Sequence, residues 1–128
     1  MENTKIIAKD NTIRVSALKL GNIAKMIVNL KVGKAVNQLK FSQKRISNTV
    51  LKVLNAAIAN AENNKQMDID NLFVKEAYVG KSLSMKRFRP RAKGRASSIL
   101  KPFSKLTIVL EERQIKVKNK EKKKEKEK

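Results

Sequence analysis

The amino-acid sequence predicts an α+β fold. Through the first half of the chain, apolar residues recur at the three- and four-residue spacing of amphipathic helices. From Ile69 onward the period changes, and two runs rich in β-forming residues predict an antiparallel pair of strands. We expect one domain over residues 1–113, which includes a hairpin arm at about 80–100, followed by a charged, disordered tail over 114–128.

The N-terminal segment predicts a strand followed by a helix. The run "KIIAKDNTI" is short and apolar with a polar break, typical of an edge strand that leads into a loop. Ser16 is a candidate N-cap, because its hydroxyl can accept from a free amide of the first helical turn. Gly33 is the predicted stop of this helix. Its apolar stripe consists of Leu20, Ile23, Ala24, Ile27 and Leu30.

Two further helices are predicted before residue 65. A short one spans 34–40, where Ala35, Val36 and Leu39 share a face. A long one runs from about 43 to 63 after the N-cap candidate Ser42. Its apolar face comprises Ile46, Val50, Val53, Leu54, Ala57, Ile58 and Ala61, and its polar face carries Arg45, Asn48, Lys52, Asn55 and Glu62.

The two predicted strands are "IDNLFVKEAYVGK" and "KLTIVLEER". In the second, Leu106, Ile108 and Leu110 point to one side, because side chains alternate along a strand. More than twenty residues connect the runs, whereas ordinary hairpin loops use about two to five. A connection of that length is either disordered or a functional extension of the hairpin.

The amino-acid composition restricts the classes of function that the chain can have. The 128 residues carry a formal net charge of +20, and a polyanion relieves the resulting self-repulsion. Nucleic acid is the leading candidate partner, and an anionic membrane surface is weaker because the Lys/Glu tail lacks a bulky apolar face. The chain has no His and no Cys, which removes the commonest general base and the thiolate ligands. We therefore predict no enzyme, no cofactor and no metal site, and we interpret Asp68 and Asp70 as turn chemistry.

The connecting segment "KSLSMKRFRPRAKGR" concentrates the positive charge. No acidic residue occurs between Ala77 and Leu110, and four of the seven Arg residues fall between 87 and 95. Arg offers a planar fork that grips phosphate or stacks on a base, whereas Lys is a point charge. Gly94 allows either close backbone approach or an unusual turn. Met85 and Phe88 either wedge against bases or pack across the hairpin.

The segment "SMKRFRPRAKGRASSILKPFSKLTIVL" closely resembles the signature of the bacterial-type large-subunit ribosomal protein twenty-two family. "VLNAAIANAENN" and "RVSALK" resemble two further parts of that family, so the resemblance covers about residues 10–112. It implies three helices packed on a three-stranded antiparallel sheet, with a long projecting β-hairpin. It also implies a structural protein of the large ribosomal subunit that binds rRNA and supports assembly. The hairpin is then expected to reach the wall of the nascent-peptide exit tunnel.

The expected partners are large-subunit rRNA, neighbouring ribosomal proteins and the nascent peptide at the hairpin tip. We expect a cytoplasmic ribosome rather than an organellar one, and no membrane contact. The candidate RNA-binding residues are Arg14, Lys19, Lys81, Met85, Lys86, Arg87, Arg89, Pro90, Arg91, Lys93, Gly94, Arg95 and Lys105. Three positions depart from the family pattern: Gly21 in place of Arg, Lys105 in place of His, and "NLKVGK" near the end of the first helix.

An architectural DNA-binding protein with a basic β-arm is the alternative. Pro90 near the arm tip is compatible with minor-groove insertion. Such proteins usually need a dimerisation surface, however, and the long helix has only one apolar face, which the core requires. Preference for duplex DNA over folded rRNA would favour this alternative.

Overall fold

A computed structural model of the protein describes residues 5–113. In chain order the elements are β1 (Lys5–Ile13), α1 (Ala17–Ile27), α2 (Val32–Lys40), α3 (Ser47–Lys65), β2 (Leu72–Pro90) and β3 (Ala96–Glu112). Short 3-10 turns lie at Ile69–Asn71 and Ala92–Gly94. The predicted α+β class, with three helices and a three-stranded antiparallel sheet, is confirmed. The predicted charged tail lies outside the described residues.

The sheet has the order β1-β3-β2, so β3 is the central strand. β1 pairs with the C-terminal half of β3, and it is the edge strand that the sequence predicted. β2 pairs with β3 from Leu72 opposite Glu112 to Pro90 opposite Ala96. The long connection is therefore not a loop: both strands continue through it and meet at a tight turn.

The core lies between the helices and one face of the sheet. Leu106, Ile108 and Leu110 of β3 are fully buried on that face, as predicted from their alternation. The helices contribute the apolar stripes that the sequence indicated, among them Leu20, Ile23, Ala24, Ile27, Ala35, Leu39, Val50, Val53, Leu54, Ala57 and Ala61. Val109 points to the opposite face and is nevertheless buried, because the flanking strands place Ile7 and Glu76 beside it.

The start of α1 was predicted correctly and its end was not. The Ser16 hydroxyl accepts from the Lys19 amide at 3.4 Å, so Ser16 is the N-cap. The helix ends at Ile27, and Asn29 takes the left-handed turn (φ 65°). Asn tolerates this conformation, and its amide donates to the Val74 carbonyl at 2.8 Å.

Gly33 is consequently not the stop of the first helix. It lies inside α2, which begins at Val32. Leu30 lies in the connection between α1 and α2, where it packs against the core from outside any helix.

The start of α3 also differs from the prediction. Ser42 is not its N-cap: its hydroxyl accepts from the Lys44 amide at 3.4 Å, a local turn that competes with helix capping. The helix begins at Ser47, with Ile46 in the cap position and no side-chain cap. Arg45 therefore lies in the turn before α3 and not on the polar face of the helix.

Ser104 connects the root of the hairpin to the body through a hydrogen bond. It is fully buried, and its hydroxyl donates to the Val15 carbonyl at 2.5 Å. It sits opposite both Ile13 and Lys81, where the two neighbouring strands change register. The bond thus links the central strand to the segment that leads into α1.

Replacing Ser104 with Ala is expected to lower the free energy of unfolding by about 1–3 kcal/mol. The substitution leaves a partly buried carbonyl without its donor, which costs its desolvation. Urea denaturation followed by far-UV circular dichroism measures the change. Ser98→Ala is the matched control, because Ser98 is exposed, and it should change stability by less than about 0.5 kcal/mol. Equal effects of the two variants would contradict the assigned role.

Candidate nucleic-acid interface

The arm is defined here as residues 82–103, the outer part of the β2–β3 hairpin. Pairing continues without interruption from Ser84 opposite Pro102 to Pro90 opposite Ala96. All residues from Leu83 to Ala96 are exposed, so the core takes no part in holding this segment. A two-stranded ribbon of this kind is marginally stable by itself in water, so an external partner is expected to order it.

The tip of the arm is a left-handed turn. Lys93 and Gly94 both have positive φ, 63° and 70°, and the Arg91 amide donates to the Arg95 carbonyl at 2.6 Å. Of the two interpretations of Gly94, the unusual turn is the one that the backbone adopts. The turn is further held by Arg91, whose Nε donates to the Ser97 hydroxyl at 3.0 Å.

The basic residues of the arm lack acidic partners. Among residues 5–113, the ion pairs join Glu111 to Lys75 at 3.7 Å and to Arg113 at 3.4 Å, and neither involves the arm. Because side chains alternate along β2, Met85, Arg87 and Arg89 lie on one face, with Lys86 on the other. The arm thus carries positive charge on both faces and at its tip, where Pro90, Arg91, Lys93, Gly94 and Arg95 are clustered.

The two large apolar residues of the arm are not equivalent. Met85 is 36% exposed, and its sulfur lies 3.7 Å from a guanidinium nitrogen of Arg87. Phe88 is 75% exposed and stands opposite Ser98, so it does not pack across the hairpin. Phe88 is therefore available to an external partner.

A groove of about 1040 Å³ opens where the arm leaves the body. It is bounded by the start of α1, by the turn before α3 and by both strands of the arm. Arg14, Lys19, Met85 and Arg87 of the predicted site are brought together here from distant parts of the sequence. Arg14 lies over the Phe103 ring, with its guanidinium carbon 6.0 Å from the ring centroid.

The other two predicted body residues lie outside this groove. Both lie at the root of the hairpin: Lys81 on β2 is opposite Ser104, and Lys105 follows Ser104 on β3, opposite Gly80. Both side chains are exposed. They extend the basic surface of the arm toward the body without joining the groove.

Among the groove residues that the sequence prediction missed are three basic residues and one aromatic residue: Lys44, Arg45, Lys101 and Phe103. Lys101 and Phe103 lie in the segment without acidic residues. That absence could have identified Lys101 as a candidate, because it leaves a basic residue without a counter-charge. Lys44 and Arg45 had been assigned to a helix, so their place in a turn facing the arm was not visible. Their convergence depends on tertiary packing alone.

Away from the arm, Tyr78 and Glu76 form a local pair on the outer face of β2. The Tyr78 hydroxyl donates to the Glu76 carboxylate. This hydrogen bond, aided by desolvation and the carboxylate charge, raises the pKa of Tyr78. The contact contributes stability below the ordinary tyrosine pKa and is lost as the pH rises through the raised value, since the ionised phenol cannot donate.

Replacing Glu76 with Gln is expected to lower the pKa of Tyr78. Tyr78 is the only Tyr and the chain has no Trp, so phenolate absorbance during an alkaline titration reports this one group. Asp10→Asn removes a carboxylate from the other edge strand and serves as the control, with little expected change. Identical midpoints for the wild type and Glu76→Gln would contradict the contact.

In the part of the chain that the structure describes, no helix is both long and apolar enough to cross a membrane. The described surface is instead that of a small basic protein whose arm lacks internal counter-charges. An antiparallel α+β body with such an arm is the geometry expected of the class of proteins that bind a polyanion.

Comparison with known proteins specifies this class. Residues 8–111 match the family model described as ribosomal protein L22p/L17e. The chain is 58% identical over 103 residues to the large ribosomal subunit protein uL22 of Pelagibacter ubique, which covers 80% of this chain and 78% of the relative. It is 57% identical over 107 residues to uL22 of Phenylobacterium zucineum, and this match covers 84% of this chain and 85% of the relative. The chain belongs to the L22p/L17e family of ribosomal proteins, which is not a family of enzymes.

Proposed function

We propose that the protein is a structural constituent of the large subunit of a bacterial-type cytoplasmic ribosome and that it binds large-subunit rRNA. The observation that carries the proposal is the arm: a hairpin paired without interruption from Ser84 to its tip, with exposed arginines and no acidic residue from Ala77 to Leu110. Phosphate groups supply the missing counter-charge. The names of the relatives, all large ribosomal subunit proteins, support the choice of RNA over other polyanions.

The arm is proposed to fill a cleft between RNA helices. A folded RNA is recognised through shape and phosphate contacts, and a narrow ribbon with charge on both faces can be surrounded by phosphates. The tip is proposed to reach the wall of the nascent-peptide exit tunnel, as the family resemblance suggests. Neighbouring ribosomal proteins and the nascent peptide would then be further partners, and early binding during assembly would order the arm.

The described body supports RNA over the architectural DNA-binding alternative. α3 uses its apolar face in the core of its own chain, with Val50, Leu54, Ala57 and Ala61 fully buried. That face is thus not available as the dimerisation surface that minor-groove proteins with β-arms usually need.

Binding to large-subunit rRNA tests the proposal. Neutralising about six phosphates predicts that affinity falls about a thousandfold between roughly 50 and 200 mM salt, because bound counterions are released. Competition with duplex DNA of random sequence is the control. A shallow salt dependence, or preference for the duplex, would contradict the proposal.

A further inference from the structure

We infer that the groove between the arm and the body binds one unpaired nucleotide of the rRNA, with its base on the Arg14–Phe103 pair and its phosphates on the groove rim. This inference rests on the proposed function and adds a specific binding site to it. It assigns a role to residues of the body together with the base of the arm, whereas the arm as a whole accounts for the general attraction to RNA.

The charged residues that line the groove are all cationic. Six basic side chains surround it, no acidic side chain lines it, and all six are exposed: Arg14, Lys19, Lys44, Arg45, Arg87 and Lys101. They come from four separate segments, so their mutual repulsion is imposed by the fold. An anionic ligand between them removes that repulsion, and phosphate suits the forked guanidinium groups of the three arginines.

The lining of the groove is apolar between these charges. Met85, Leu100, Pro102 and Phe103 contribute from the arm, and Val15 contributes from the body. A ligand that carried only phosphate would leave this surface in water. A nucleotide fits better, because its base has a flat apolar face and its phosphates are attached within the reach of the rim.

The Arg14–Phe103 contact provides the surface on which a base can stack. Single-stranded RNA is recognised when unstacked bases lie on aromatic rings or on guanidinium planes, and both are present together here. Lys19 and Arg45 are on the rim of the same groove, where they can contact the adjoining phosphates.

The groove has room for a nucleotide. Its volume of about 1040 Å³ slightly exceeds the roughly 300–1000 Å³ of small-molecule sites, so size alone does not select the ligand. A base-paired segment would keep its bases inside the duplex and contact only the rim. An acidic peptide could satisfy the charges, but it would not need the flat Arg14–Phe103 surface. These two points favour an unpaired nucleotide.

The test uses the full-length protein and a fluorescent oligouridylate of about eight nucleotides, compared with an abasic oligomer of equal length and charge. Phe103→Leu keeps an apolar side chain but removes the ring, and Arg14→Lys keeps the charge but removes the plane. Phe41→Leu is the matched control, since Phe41 is an exposed aromatic outside both the groove and the arm. Circular dichroism establishes that each variant is folded, and Arg14→Lys serves alone if Phe103→Leu is not.

We expect Phe103→Leu and Arg14→Lys to weaken binding of the oligouridylate about fivefold or more, the effect of losing one stacked base. Phe41→Leu should have little effect, and the abasic oligomer should bind all variants alike. The inference is overturned if the groove variants bind as the wild type does, or if an acidic peptide of equal charge displaces the oligouridylate more effectively than unlabelled oligouridylate does.

Binding of intact large-subunit rRNA, measured in parallel, distinguishes a failure of the groove inference from a failure of the proposed function. If rRNA binds with a steep salt dependence while the groove variants have no effect, the groove inference fails and the proposed function stands. If rRNA does not bind, both fail.

Discussion

Replacing Arg87, Arg89 and Arg91 together with Ala is expected to lower the affinity for large-subunit rRNA on the order of 100- to 1000-fold. Each arginine is exposed and can form a charge-assisted contact with phosphate worth about 1–1.5 kcal/mol net, so three contacts contribute about 3–4.5 kcal/mol. The core does not involve these side chains, so the free energy of unfolding should change little. The lost hydrogen bond between Arg91 and Ser97 is confined to the tip of the arm. Filter binding at fixed salt measures the affinity, and thermal unfolding establishes that the fold is retained.

The matched control removes the same charge from the body. Lys9, Lys34 and Lys52 are exposed on β1, α2 and α3, and their joint replacement with Ala also lowers the net charge by three. Long-range attraction to RNA then falls equally in the two triple variants, and only the arm variant loses the predicted local contacts. Equal losses of affinity in both would show that the arm acts only through net charge, contrary to our account.

Replacing Leu54 with Ala is expected to lower the free energy of unfolding by about 2–5 kcal/mol. Leu54 is fully buried in the middle of α3, and truncation there loses apolar burial and leaves a cavity. Since small domains have about 5–15 kcal/mol of total stability, a large share would be lost. Urea denaturation followed by circular dichroism gives the value.

Leu18→Ala is the control for this variant. Leu18 is on α1 but is 79% exposed, so its truncation should change stability by less than about 0.5 kcal/mol. A small effect of Leu54→Ala would mean that α3 does not present this face to the core. It would also reopen the possibility that the apolar face of α3 binds a second chain, which the DNA-binding alternative requires.

The sequence predicted the elements with strong periodicity and misplaced those set by local competition. The stripe from Leu20 to Ile27 and the N-cap Ser16 agree with the structure, because spacing and capping are properties of one helix. Ser42 formed a turn instead of a cap, and Asn29 rather than Gly33 made the turn after α1. Ser42 is held in a local turn by Lys44, and Asn29 is held by its contact with β2, and the spacing of apolar residues reveals neither contact.

The arm could be predicted from the sequence, whereas the groove could not. Continuous pairing of β2 and β3 follows from the two flanking β-runs and the absence of any competing helical stripe, so the hairpin could be foreseen. The groove joins Arg14, Arg45 and Lys101, which are far apart in the chain and show no shared pattern. Only the packing of α1, the turn before α3 and the root of the arm brings them together.

The most direct test of the central claim is to identify the peptides of this chain that become linked to RNA when purified large subunits are irradiated with ultraviolet light. We expect the chain to sediment with the large subunit and the RNA-linked peptides to come from the arm, within residues 82–103. Links confined to the helices, with the arm peptides unmodified, would contradict the assignment of the arm as the RNA-binding element. Absence of the chain from the large subunit would contradict the proposed function as a whole.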